Sequence, residues 1–170
     1  MIQPIYLYGS EVLRAKAEEV DLTDKEGIAT LIQDLKDTLK HSDGCGLAAP
    51  QIGVSKRALI VDGTGMTDVY DYLKDFKRTM LNPVVLEESE KEVDYSEGCL
   101  SIPNEFGIVQ RPDYVKVRAQ DRHGEWFEVE GRGLTARAFC HEIDHLDGVL
   151  FIDKAIRMLS PEELEQQAKG

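Results

Sequence analysis

The chain predicts an α+β fold in which antiparallel strands pack around one buried helix carrying His141-Glu142-Ile143-Asp144-His145. Strand-like stretches come first, at Arg57 to Asp62, Met80 to Glu87 and Tyr114 to Gln120. The last can pair with Glu125 to Glu130 across the turn Asp121-Arg122-His123-Gly124, which gives a meander of antiparallel character. A helix follows late, from about Leu134 to Asp147, and its early apolar residues Leu134, Ala138 and Phe139 place it in an interior. Strands first and a buried helix afterwards is the α+β order.

Residues 23 to 41 read as the first helix, because Ile28, Leu31, Ile32, Leu35 and Leu39 recur at helical spacing. Thr23 and Glu26 are spaced as a capping box, and Asp43-Gly44 ends the segment. Gly148 is placed to terminate the helix from Leu134. A short acidic helix is expected at about 160 to 169, where Ser160 caps, Pro161 takes the first helical position and Glu163 completes a capping box. No repeat, low-complexity tract or Pro/Ser-rich linker divides the sequence, so residues 1–170 are expected to form a single domain. A chain of 170 residues buries enough surface to hold a core without disulfide staples.

The three cysteines, Cys45, Cys99 and Cys140, are an odd number and suit a reducing compartment. The opening MIQPIYLYGSEVLR lacks the pattern of a leader, and no apolar run approaches the ~20 residues of a bilayer span. A cytoplasmic protein with no membrane partner is therefore expected. The net charge of −12 repels phosphate backbones, which argues against a nucleic-acid partner.

His141 and His145 lie four apart on one helical face, where two imidazoles can grip one metal ion with Glu142 beside it. Two histidines and a glutamate in an interior would cost several kcal/mol without a partner (roughly, per unpaired polar group), and a metal supplies one. A catalytic site needs a third protein ligand and an open position. Gly148 fits the pattern in which a third histidine follows, but the required position is Phe151. Two sources remain: a downstream carboxylate, Asp153 or one of Glu162 to Glu165, and the upstream Cys99 in Glu97-Gly98-Cys99-Leu100-Ser101. Thiolate suits divalent iron or zinc, which favours Cys99, although a free cysteine is more often a small buried hydrophobe. Cys140 precedes His141 and points about 100° away from it. The stretch GCGLAAPQ at 44–51 satisfies a loose dinucleotide pattern, but it follows a helix and runs into Pro50, so that reading is rejected. Its glycines suit a loop whose backbone comes close to a ligand or another strand, and Gln51 offers a neutral hydrogen-bond donor.

GCGLAAPQ (44–51), EGCLS (97–101) and HEIDH (141–145), in this order, resemble the three signature motifs of the peptide deformylases. The likeness runs from VLR near residue 13 to HLDGVLFID ending at Asp153. The resemblance implies a hydrolase that removes the N-formyl group from the formyl-methionine of nascent polypeptides and releases formate. It implies that Cys99, His141 and His145 bind the metal, that Glu142 is the acid/base, and that Gln51 and the Leu100 backbone N–H receive the oxyanion. The peptide would pair as an added strand along the backbones of Cys45, Gly46 and Gly98. Its methionine would enter an apolar pocket including Leu134 and Ala138, two residues equally compatible with plain core. The implied ion is Fe(II), which Zn(II) or another divalent metal can replace. Ribosome proximity is expected from the substrate. Some relatives dock through a long basic C-terminal helix, whereas this tail is short and acidic, and some carry arginine where this chain has Phe106. Two rivals stand beside this reading. One is a zinc endopeptidase that uses the same helix with a downstream carboxylate; the other is a non-catalytic peptide-binding protein with a structural metal.

Overall fold

The computed structural model describes residues 1–63 and 76–169. In chain order it forms helix α1 (Lys25–Lys40) and strands β1 (Gly46–Ala48), β2 (Ala58–Asp62), β3 (Lys77–Glu88) and β4 (Glu92–Cys99). Next come β5 (Ile102–Pro112), β6 (Tyr114–Gln120), β7 (Trp126–Arg132) and helix α2 (Leu134–Leu146). The short helix α3 (Phe151–Lys154), strand β8 (Ala155–Met158) and helix α4 (Pro161–Lys169) complete the described chain.

The strand β2 explains the layering. Side chains along a strand alternate between faces, yet Ala58, Leu59, Ile60 and Val61 are all buried, so both faces must be covered. Ala58 and Ile60 pack with Ile28, Ile32, Leu35 and Leu39 of α1. Leu59 and Val61 pack with Phe139, Ile143 and Leu146 of α2, where Val115, Val117 and Ala119 of β6 join them. The sheet β1-β2-β3-β6-β7 is thus gripped at its β1-β2 end from both sides. A second sheet, β4-β5-β8, closes a smaller core of Leu13, Ile102, Val109, Leu150 and Phe151. Every strand pair is antiparallel, as the sequence predicts, and β6 meets β7 across Asp121 to Gly124 with Gln120 opposite Trp126.

The first helix starts differently from its expected cap. Asp24 accepts from the Gly27 N–H at 3.0 Å, while Thr23 turns both its amide and its hydroxyl onto Asp21. With the Thr23 hydroxyl consumed, the helix begins one residue later and Gly27 takes the third position. A β-carbon there would collide with the Asp24 carboxylate, so the glycine makes room for the cap. At α4 the expected capping box is present, with Ser160 and Glu163 each accepting the other's backbone N–H at 3.2 Å.

The second sheet is the part the sequence reading lacks. Glu92 to Cys99 and Ile102 to Pro112 mix charges, glycines and prolines, and so give no clean alternation. They nonetheless pair over most of their length and close through the two-residue turn Leu100-Ser101, with Cys99 opposite Ile102. The register jumps between Gly98 and Cys99, leaving Pro103, Asn104 and Glu105 unmatched on β5. Irregularities of this kind re-aim a side chain at the end of a strand.

Candidate active site

The turn after β4 brings Cys99 to the face of α2 that carries His141 and His145. One donor atom from each of the three lies within 4.8 Å of the others, and Cys99 Sγ is 3.4 Å from His145 Nε2. Donors around a tetrahedral zinc with bonds of ~2.0–2.3 Å stand roughly 3.3–3.8 Å apart, so the cluster has the dimensions of a metal site. His141 directs Nδ1 to Glu97 Oε1 at 2.8 Å, which leaves Nε2 for the centre. His145 is fully buried, and its Nδ1 has no hydrogen-bond partner in the protein.

Glu142 is equally buried, and its Oε1 is likewise without a partner. That oxygen is 4.0 Å from His145 Nε2, too far for a hydrogen bond yet beside the donor cluster. Burial pushes the Glu142 carboxyl up to about 7, Glu97 adds to the shift, and the positive charges of His141 and Arg111 oppose it. Gly46 explains how a carboxylate is accommodated here: a β-carbon at that position would stand 2.5 Å from Glu142 Oε2. The expected loop is confined to Gly44-Cys45, and the rest of GCGLAAPQ is a short strand (Gly46–Ala48) followed by a 3-10 turn (Ala49–Ile52), in which Gly46 lets the backbone approach the acid/base candidate.

Gln51 is buried in that turn. Its Oε1 accepts from the Ala48 N–H at 2.9 Å, and its Nε2 therefore faces Ser101 Oγ at 3.2 Å and Cys99 Sγ at 3.5 Å. Leu100 completes the contact between motifs, because its side chain fills the space where a Gly44 β-carbon would stand, 2.8 Å from Cδ1. Cys45, Leu134 and Ala138 line one apolar hollow with Val61, Phe76 and Thr135. Burial and the nearby Glu142 raise the Cys45 thiol above its ordinary value, and burial pushes Cys140 up to about 11, so both remain protonated. Cys140 packs against the core beside Phe139, away from the cluster.

Two of the downstream carboxylates are engaged elsewhere. Asp153 holds Arg14 in a two-point contact and caps the Leu150 N–H, and Glu163 pairs with Arg157. Phe151, standing where a third histidine is required by the rival pattern, stacks on the His141 ring at 6.3 Å.

Sequence reasoning missed the support beneath His141. Glu97 is buried, and it accepts from Arg111 Nε and Nη2 at 2.9 and 3.0 Å and from Arg137 Nη1 at 2.6 Å. Arg111 Nη1 also donates to Asp144 Oδ2 at 2.6 Å, tying β5 to the histidine helix. Burial alone would raise the Glu97 carboxyl, but hydrogen bonds from His141 and Arg111 hold it well below the usual carboxylate range. The only hint in the sequence is the placement of charged residues within otherwise half-apolar strands.

The polypeptide deformylase family model matches residues 2–160. A peptide deformylase of Caldicellulosiruptor bescii is 46% identical over 167 residues, covering 98% of this chain and 93% of its own length. Among solved structures, peptide deformylase from Thermotoga maritima superposes with a TM-score of 0.81 at 36% identity, covering 91% of this chain and 98% of its own. A Met-Ala-Ser-bound class I type b peptide deformylase from Acinetobacter baumannii gives 0.82 at 32% identity, with 91% and 98% covered.

Proposed function

This chain belongs to the polypeptide deformylase family, and on that premise we propose how its own residues perform the reaction. It is a metal-dependent hydrolase that removes the N-formyl group from nascent polypeptides. The observation that carries the residue assignment is the gathering of Cys99, His141 and His145 beside the unpartnered Oε1 of Glu142. Two imidazoles and a thiolate suit a divalent transition ion, and the orphaned carboxylate oxygen beside them suits a site that handles a proton. When bound, such an ion supplies Lewis-acid polarisation of the formyl oxygen and makes water acidic enough to deprotonate near neutral pH.

Glu142 takes a proton from water as a C–O bond forms at the formyl carbon. It then passes that proton to the amide nitrogen as the C–N bond breaks, leaving formate and a free amino terminus. Charge that develops on the formyl oxygen is met by Gln51 Nε2 and the Leu100 N–H. The peptide is positioned as an added strand. β1 and β4 are both edge strands, which leaves backbone groups of Gly46 and Gly98 free of sheet partners on one side; Cys45 stands just before β1, with its carbonyl accepting from the Asp62 N–H at 2.7 Å. The hollow lined by Cys45, Leu134 and Ala138 takes the methionine side chain.

Cys99→Ala is expected to release the metal, whereas Asp153→Asn and Glu163→Gln keep it, as measured by metal content after dialysis. Retained metal in the cysteine variant would move the third ligand elsewhere and revive the endopeptidase reading.

We assign Fe(II) as the working ion, with Zn(II) or another divalent metal able to replace it. Anaerobically prepared Fe(II) protein is expected to outperform the zinc form, and aerobic handling to cost activity through oxidation at the metal or at Cys99. Equal rates with both metals and indifference to air would remove the iron assignment and leave the hydrolase intact. The substrates are formyl-Met nascent peptides, met near the ribosome in the cytoplasm. The acidic first turn of α4, Glu162 and Glu163, disfavours docking on RNA through that helix. Among the described residues no helix is long and apolar enough to cross a membrane.

A further inference from the structure

We infer that Ser101 is a positioning residue for this reaction, acting through Gln51 to aim the side-chain amide at the formyl oxygen. The inference rests on the role proposed above for Gln51. Ser101 is fully buried in the two-residue turn that joins β4 to β5, a place where a hydroxyl needs a partner. That partner is Gln51 Nε2 at 3.2 Å. The identity of the amide nitrogen is fixed on chemical grounds, because the other terminal atom accepts from the Ala48 N–H and must be the oxygen. Gln51 is thus clamped at both ends. One Nε2 hydrogen is taken by Ser101, and the second points towards Cys99 Sγ, into the centre.

The clamp is itself anchored. Tyr6 N–H donates to the Gln51 carbonyl at 2.7 Å and Tyr8 N–H to the Ser101 carbonyl at 2.8 Å, so one extended segment ties the two backbones together. Ser101 also follows Leu100, the residue whose N–H is the second donor to the oxyanion. Without the hydroxyl, Nε2 keeps only the long contact to sulfur, and the amide is held firmly at its oxygen end alone, by the Ala48 N–H. A donor that must be in place when charge develops then loses part of its preorganisation.

The test compares Ser101→Ala, Gln51→Ala and the double variant with the wild-type metal-loaded enzyme on a formyl-Met-Ala peptide. Loss of one hydrogen bond that holds the donor predicts a fall in kcat of about 3–10-fold for Ser101→Ala, with KM and metal content unchanged. In the Gln51→Ala background the same change should add nothing, and Ser101→Thr should restore much of the rate. Ser101→Gly supplies a second variant without the hydroxyl should Ser101→Ala fold poorly. In metal-free protein, the Gln51 side-chain amide resonance should shift when Ser101 is replaced. An unaltered kcat beside an impaired Gln51→Ala enzyme, losses that multiply in the double variant, or an unmoved amide resonance would each overturn the inference. A Gln51→Ala enzyme running at the wild-type rate would remove the parent assignment and this one with it.

Discussion

Replacing Glu142 with glutamine is expected to leave the metal in place and to lower formate release from formyl-Met peptides by about 10²–10⁴-fold, the range associated with a positioned acid/base. The substitution preserves shape and one acceptor oxygen while abolishing proton transfer. Because Glu142 Oε1 has no partner in the protein, an amide nitrogen placed there breaks no hydrogen bond at that position. A second consequence follows from the burial that raises this carboxyl to about 7. The unfolded chain releases the proton near the ordinary glutamate value, so folding is progressively disfavoured as pH rises from that value to about 7. Metal-free Glu142→Gln should therefore melt higher than metal-free wild type at neutral pH, and the two should converge in acid. A bound dication draws the carboxyl back down and keeps it available as a base, so the comparison is made without metal. An enzyme that keeps its rate, measured beside an unchanged metal content, would hand the proton to another group.

Much of this site was legible because its chemistry needs particular residue types at particular spacings. His141 and His145 are four apart on a helix, and Glu142 lies between them, so their common face follows from helical geometry. Cys99 was legible as a ligand type, but its approach depends on a register jump and a two-residue turn that no local pattern announces. The same holds for the fold. α1 and β2 declare themselves through apolar spacing, whereas β4 and β5 bury Glu97 and Arg111, residues that read as solvent-facing. Burial of a charge is set by a partner fourteen positions away, as in the Glu97–Arg111 pair, and sequence periodicity carries no record of it. Leu134 and Ala138 illustrate the remaining ambiguity, for an apolar residue facing a hollow and one facing the core obey the same helical period.

Glu97→Gln should be the most damaging change outside the reacting groups, in fold and in metal binding together. Glu97 is the shared acceptor of Arg111, Arg137 and His141, and Arg111 is among the largest fully buried side chains. An amide keeps one acceptor oxygen for three donors and leaves buried positive charge uncompensated, at a cost of about 3–5 kcal/mol. For a chain of this length that corresponds to a melting point lower by roughly 6–20 °C. The hydrogen bond to His141 Nδ1 also sets which ring nitrogen faces the centre, and losing such support typically weakens metal affinity by about 10–100-fold. The pH dependence has a defined sign. Glu97 is held below the usual carboxylate range, so its contribution is complete above the ordinary glutamate value of ~4.3 and is lost as pH falls from there towards the folded value. Wild type should therefore lose stability steeply in acid, and the variant should lose less because it has less to lose. Arg111 keeps Asp144, so the charge left without a carboxylate is Arg137; adding Arg137→Met should recover part of the melting point but none of the metal affinity. Chelator competition that gives the same affinity for wild type and Glu97→Gln would reduce Glu97 to a purely architectural ion pair, with His141 oriented by its packing against Phe151 alone.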